Sequence, residues 1–267
     1  MPVAGVRAMK RLLCLTAALC LCVSCALAQP TQAGPTVTEA TPLTGERCYP
    51  EGTDATTAAY VYRYTLPQFT QQSPQADAIN AYFAAMADDM AAASLADAAD
   101  ALDVPADPTA PARYTELGYR ITAATADQLS VLLTSRQSIG NAETESWTAT
   151  VFALSGVYAG QPVSLTQAMG LEQEDGAADT AESYAAGLVY GLIWQIIAEQ
   201  TARQNGDYFS DLTRADLERA LNPESDFYLD VDGNFVFYIQ SGVIAGDVAG
   251  VLTFPFAPAE LLSAARP

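Results

Sequence analysis

Residues 226–256, DFYLDVDGNFVFYIQSGVIAGDVAGVLTFPF, decide the fold class. Phe227, Leu229 and Val231 alternate with Tyr228 and Asp230. Asp232-Gly233 then supplies residues that tolerate positive φ, and 234–240 continues as a second aromatic and β-branched run. That is a hairpin. A Gly-punctuated bend over 241–246 feeds a third run, 248–256, closed by Pro255 and Pro258, which cannot continue a central strand. The spacing predicts a C-terminal β-meander and a chain that ends in sheet.

Upstream of the meander, Thr213 with Asp216 three residues on predicts a capped helix to Leu221, ended by Asn222-Pro223. Residues 184–198 are almost wholly apolar, with Gln195 the only strongly polar side chain. They predict a helix capped by Asp179-Thr180 and buried on most sides, and about 15 residues are too few to span a membrane. Gly187 and Gly191 form a small-xxx-small pair, read as close approach of helix to sheet in preference to a membrane-dimer motif; Trp194 is read as core. Three β-type segments, 114–124, 128–139 and 145–155, predict an antiparallel set, with Leu129, Val131 and Leu133 on one face and Trp147 in core or at a rim. Gly160-Gln161-Pro162 makes a turn into the short segment 163–166.

Ser73-Pro74 starts a helix whose buried face carries Ile79, Tyr82, Phe83, Met86 and Met90, with Asp77, Asp88 and Asp89 turned elsewhere. Its Ala- and Asp-rich continuation, 91–103, lacks large apolar anchors and is expected to be exposed before Pro105, Pro108 and Pro111. Tyr60–Tyr64 reads as a strand ending at an edge marked by Pro67. The whole is an α+β fold: antiparallel sheet layers, two main helices packed on them, and the C-terminal meander. Its expected divisions are a signal peptide (1–28), a Thr/Pro-rich tether (29–59), an N-terminal α+β part (60–155) and a C-terminal one (156–262).

Arg7, Lys10 and Arg11 precede the apolar run 12–25, and Ala26-Leu27-Ala28 follows: an export signal with cleavage before Gln29. Lipoprotein processing at Cys25, where Val23-Ser24-Cys25 ends like a lipobox, stays open as an alternative, as does an uncleaved anchor. After cleavage only Cys48 remains, so no disulfide framework is expected; the lone thiol is an incidental group in a flexible arm, a reactive group or an intermolecular cross-link. The mature chain then carries nine arginines against 31 acids, a net charge of −22, with no lysine after Lys10 and no histidine. Nucleic-acid binding is excluded on that balance, and cationic partners are favoured by the field alongside plain solubility.

Without histidine the chain cannot build Ser-His-Asp, Cys-His or His-containing zinc sites, and without mature lysine it has no Ser-Lys or Schiff-base chemistry. Paired carboxylates, the machinery of glycosidases, remain open, but no pair is singled out. No catalytic residue and no cofactor is expected. Asp230, Asp232 and Asn234 stand at alternate positions like the opening of a calcium loop. However, Phe235 and Ser241 occupy the sixth and twelfth positions, so a plain hairpin is the better reading. The acidic run Glu172, Glu174, Asp175 and Asp179 reads as a solvated loop or a weak cation site.

Leu66-Pro67-Gln68-Phe69 with Ile79-Asn80, Val151-Phe152-Ala153-Leu154 with Gly160 and Val163-Ser164-Leu165, and Asp226-Phe227-Tyr228-Leu229 through Asp232-Gly233 to Gly250 carry a family resemblance. In their order the segments between Tyr60 and Leu262 resemble the RsiV-type extracytoplasmic sensor domain. That domain of unknown function also stands ahead of the catalytic domain in the peptidoglycan deacetylase PdaC. The resemblance implies an α+β domain outside the membrane that binds or senses. In RsiV anti-sigma factors the ligand is lysozyme, a cationic protein. Two departures stand out: Ser138-Ile139-Gly140-Asn141-Ala142 lacks the histidine of the usual Gly-Gly-Ala-His loop, and about eleven residues precede the h-region, too few for a sigma-binding segment. The expectation is an exported, non-catalytic binding or sensing module of a bacterial envelope, with lysozyme or cell-wall material as partner. A carboxylate-dependent hydrolase on cell-wall glycan and a passive scaffold are the alternatives.

Overall fold

The computed structural model describes residues 40–70, 73–102, 113–139, 142–171 and 178–264. Its first strand, β1 (Ala40–Tyr49), lies inside the stretch expected to be a tether and pairs antiparallel with β2 (Tyr60–Phe69) over ten consecutive positions. The long helix α1 (Pro74–Leu102) follows, with the Ser73 hydroxyl accepting the Ala76 N–H at 3.2 Å and Pro74 in the first position, as expected. Strands β3 (Arg113–Ala124), β4 (Gln128–Ile139) and β5 (Ala142–Ala153) then run antiparallel to one another, and the two-residue β6 (Pro162–Val163) closes a six-stranded sheet in sequence order. β2 and β3 are parallel, because the helix between them is a crossover rather than a hairpin. Pro67 therefore does not mark an edge: β2 lies between β1 and β3. The parallel ladder ends at Tyr64 opposite Leu117, so the missing Pro67 N–H breaks no bond on that side.

Helix α1 covers one face of this sheet. Ile79, Phe83 and Ala87 pack on Leu66, Leu117, Leu129, Val131, Leu133, Phe152 and Leu154, with Met86 and Met90 filling in at the margin. Tyr82, Phe83 and Phe152 meet ring to ring at 5.2–5.6 Å. Asn80 clamps the end of β2: its Oδ1 accepts the Phe69 N–H at 2.7 Å and its Nδ2 donates to the Phe69 carbonyl at 2.8 Å. The second half of α1 is exposed at Ala92, Ala93, Ala96 and Ala99, as its composition suggests, but it is anchored on its inner side. Ser94 and Ala98 are buried, Ala98 against Tyr49, Tyr60 and Tyr62, because tyrosine rings supply the bulk that the alanines lack. Gly160, at φ +82°, lets the turn before β6 approach α1, since a Cβ there would stand 3.1 Å from the Gln75 Cα.

Across the other face lies a second core. It is built by α2 (Leu165–Ala168), α3 (Ala178–Ala202), α4 (Arg214–Ala220) and a three-stranded sheet of β7 (Phe227–Leu229), β8 (Phe235–Ile239) and β9 (Leu252–Phe256). The meander is as expected, with β8 central and buried at all five positions and Pro255 on the edge strand β9. Two details differ. A 3₁₀ turn, Asp247–Ala249, occupies the start of the third run, and the chain does not end in sheet, because Pro258 opens a final helix, α5 (Pro258–Ala264). Thr213 and Asp216 form the expected capping box of α4, and Ser164 with Gln167 forms another at α2.

The buried residues of the first core run from Leu66 to Leu154, and those of the second, apart from Ala123 and Val151, from Leu165 to Leu261. The two cores share the long sheet, however: Ala123 and Val151 enter the second core, and 33–267 is a single compact unit. Ser130, fully buried in β4, joins the layers. Its Oγ accepts the Thr122 hydroxyl at 2.8 Å and the Leu229 N–H of β7 at 3.0 Å, beside the bulge that interrupts the β3–β4 register between Ile121 and Ala123.

Helix α3 departs from expectation. Ala178 begins it, so Asp179 and Thr180 lie within it rather than cap it. Ala185, Val189, Ile193 and Ile197 are buried at four-residue spacing, Trp194 is half-buried on the same core, and Tyr184, Gly187 and Gln195 face outward. A Cβ at Gly187 or Gly191 would meet nothing within 4 Å, so these glycines make no close approach to the sheet. With space available and helical backbone in place, Gly187→Ala and Gly191→Ala are each expected to stabilise by about 0.5–1 kcal/mol. A urea midpoint that falls in either variant would contradict this.

Candidate binding groove along strand β1

β1 carries little apolar alternation, and its place in the sheet rests on its partner. Gly45 lies under the Tyr64 ring, which a Cβ there would strike. Pro42 stands opposite Pro67, Glu46 opposite Arg63 and Cys48 opposite Val61. Through the following registers Arg63 faces Glu116, Glu116 faces Arg136, and Arg136 faces Glu145. One residue from each of five strands thus forms a row of alternating charge across the sheet face opposite α1. Arg63 Nε donates to Glu46 at 2.7 Å and Arg136 Nε to Glu145 at 3.1 Å. The Trp147 indole N–H at 2.8 Å, and after it Arg136, hold the Glu145 carboxyl below its usual range, against a smaller effect of burial. These pairs are half exposed, so each contributes only about 0–1 kcal/mol to stability. They set the charge pattern of the surface more than they hold it together.

Two hollows flank β1. The larger, about 890 Å³, is lined by Glu46, Arg47, Cys48 and Tyr49 of β1, by Glu51 to Asp54 of the following turn, and by Ala91 and Ala92 of α1. Side chains alternate between faces along a strand, so four consecutive lining residues place this groove along the edge of β1 rather than over one face. The smaller, about 310 Å³, lies between Thr44, Glu46, Arg63, Thr65 and Glu116. Three carboxylates and one guanidinium border the larger groove. Asp54 stays ionised there, because hydrogen bonds from the Thr56 and Thr57 hydroxyls and amides pull its carboxyl down against burial. Beneath it Tyr49, Tyr60 and Tyr62 pack together. Burial pushes the Tyr62 phenol up, and among the described residues its hydroxyl has no hydrogen-bond partner.

Cys48 is a free thiol in this strand and not in a flexible arm. Burial, and then the Glu46 carboxylate 3.7 Å away, push it up, so it rests as the protonated, weakly nucleophilic form. Asp230, Asp232 and Asn234 are brought together, but as a hairpin. The Asp230 carboxylate accepts the Asp232 and Asn234 N–H groups and the Asn234 side-chain amide, all at 2.9 Å. Burial opposes ionisation of Asp230, and these bonds, the Asn234 side chain first, outweigh it. Trp147 sits at the rim between the sheets, edge-on to Tyr228. The Gln240 side chain accepts the Trp147 main-chain N–H at 2.9 Å and donates to the Trp147 carbonyl at 2.7 Å. Cys25, Glu172, Glu174, Asp175 and the Asp179 side chain lie outside the described residues. Among the described residues no three Cys, Asp or Glu side chains gather as a metal set, and no helix is long and apolar enough to cross a membrane.

The architecture has solved counterparts. A DUF3298-family protein from Bacteroides fragilis superposes with a TM-score of 0.53 at 12% identity, covering 87% of this chain and 94% of that one. The fold is shared with that protein. A second DUF3298-family structure, from Pseudomonas aeruginosa PAO1, gives a TM-score of 0.47 at 13% identity over the same shares. The sequence matches no protein-family model and no curated protein.

Nothing in the chain's composition singled out Glu46, Arg47 or Glu51. They fall in the stretch read as tether, and the alternating row exists only once five strands are in register.

Proposed function

We propose that the protein is an exported, non-catalytic binding or sensing module of a bacterial cell envelope, of the RsiV-type sensor kind, and that its partner is cationic. The observation that carries this reading is the disposition of charge. Arg63, Arg136, Arg203, Arg214 and Arg219 are each engaged by a Glu or Asp, in a chain where acids outnumber bases 31 to 12. Asp77, Asp88 and Asp89 lie exposed on α1, a helix without a basic residue, and the β1 groove adds Glu46, Glu51 and Asp54. Such a field steers positively charged partners at low ionic strength and weakens as salt screens it.

Calorimetric titration with a basic lysozyme at physiological salt is expected to show binding that weakens as salt rises; heat that is absent, or indifferent to salt, would remove the cationic partner. The hydrolase alternative is promoted only by muropeptide turnover that is lost on an acid-to-amide substitution.

A further inference from the structure

Among the described residues no strand pairs with the outer edge of β1, and that edge has a defined hydrogen-bonding phase. In an antiparallel ladder, directly opposed residues alternate between pairs that exchange both main-chain bonds and pairs that exchange none. Two prolines cannot exchange N–H bonds, so Pro42 opposite Pro67 is a non-bonded pair. With no register shift along β1, so are Thr44 with Thr65, Glu46 with Arg63 and Cys48 with Val61. β2 agrees independently. Arg113 N–H of β3 donates to the Ala59 carbonyl at 3.3 Å, which in the parallel register turns the main chain of Val61 and Arg63 toward β3 and away from β1; only at the strand's entry does the Ala59 N–H reach back to β1, donating to the Tyr49 carbonyl at 2.9 Å. The N–H and C=O groups of Thr44, Glu46 and Cys48, with the Pro42 carbonyl, therefore point out of the sheet. They run in line along the edge, and the 890 Å³ groove lies against Glu46–Tyr49 with Ala91 and Ala92 of α1 as its far wall. Alanine is what leaves that wall low: a larger side chain at either position would fill the space beside the strand.

We infer that this groove takes an extended, basic peptide segment of a partner protein as a seventh strand, hydrogen-bonded to the main chain of Thr44, Glu46 and Cys48, with alternate basic side chains beside Glu46, Glu51 and Asp54. Main-chain bonds supply affinity in strand addition, and the alternating side chains supply selectivity. The long, regular edge has no bulge over its ten pairs and one proline near its start, so it carries few of the devices by which edges are usually blunted. This deepens the reading of the protein as a binder of cationic partners and rests on it.

The test uses end-capped ten-residue peptides on the full mature chain at physiological salt. A peptide alternating Lys and Val is expected to bind at least about tenfold more tightly than one alternating Glu and Val. N-methylation of every second amide in the phase that faces β1 is expected to weaken the Lys-Val peptide by about tenfold or more, the loss of one or two main-chain bonds. Methylation in the opposite phase is expected to leave its affinity unchanged. Thr44→Pro removes one outward donor without breaking the β1–β2 ladder or removing a carboxylate, and is expected to weaken the same peptide, with circular dichroism confirming the fold.

Equal sensitivity to both methylation phases would overturn strand addition and leave the cationic-partner reading standing, as would lysozyme binding without any binding of the Lys-Val peptide. Affinity that emerges only when residues 29–39 are deleted would show the chain's own arm to be the occupant, and would overturn a partner peptide.

Discussion

Phe152→Ala is expected to lower the free energy of unfolding by about 3–5 kcal/mol. The ring is fully buried in β5, packed edge-on against Tyr82 at 5.2 Å and against Phe83 at 5.6 Å, where α1 packs on the long sheet. Truncation removes the transfer free energy of the ring and leaves a void. Strands β4 and β5, paired at every position from Gln128 to Ile139, cannot move together to fill it. Urea denaturation followed by tryptophan fluorescence and by far-ultraviolet dichroism measures the loss. A change below about 1 kcal/mol would mean that α1 is not seated as described.

Ser130→Ala is the second, at about 1–3 kcal/mol, and it acts by a different route. The side chain is small, so the cavity cost is slight. What is lost is the acceptor for the Leu229 N–H and for the Thr122 hydroxyl, the latter keeping only the Ser130 carbonyl at 3.3 Å. An amide orphaned in a buried layer costs its full desolvation. Because Leu229 belongs to β7, the damage should concentrate on the meander. Hydrogen exchange is expected to rise at β7 and β8 more than at β2 or α1, and uniform loss of protection would contradict the coupling. Ser130→Thr keeps an acceptor oxygen and is expected to retain part of the bond while suffering from added volume.

Where one side chain type repeats with a clear period, the sequence announces its structure: 226–240 alternates and becomes β7 and β8, and Ile79, Phe83 and Met86 recur at helical spacing and line α1. β1 was illegible for a physical reason. As an edge strand that turns Thr44, Glu46 and Cys48 to one face and Leu43, Gly45 and Arg47 to the other, it buries only Tyr49 deeply, so no apolar period marks it. Its identity is supplied by β2. The inner side of the second half of α1 hid for the converse reason: Ala98 is buried because tyrosines from another segment come to it. In α3 two glycines looked like a packing notch, yet both face open space. The candidate site inherits this limit. Asp230, Asp232 and Asn234, close in sequence, proved to be bonded to one another, whereas Glu46, Arg63, Glu116, Arg136 and Glu145 are distant in sequence and neighbours only through pairing.

The facing prolines, Pro42 and Pro67, act as a phase lock. Sliding β1 by one residue along β2 would break their opposition and demand an amide hydrogen from one of them, as well as exchanging the faces of every side chain on the strand. Neither chain segment can drift into an alternative alignment without that penalty, so a visiting strand would meet the same sequence of donors and acceptors each time it arrived. An imino acid, unable to donate a bond itself, thereby governs which bonds its neighbours offer to the outside.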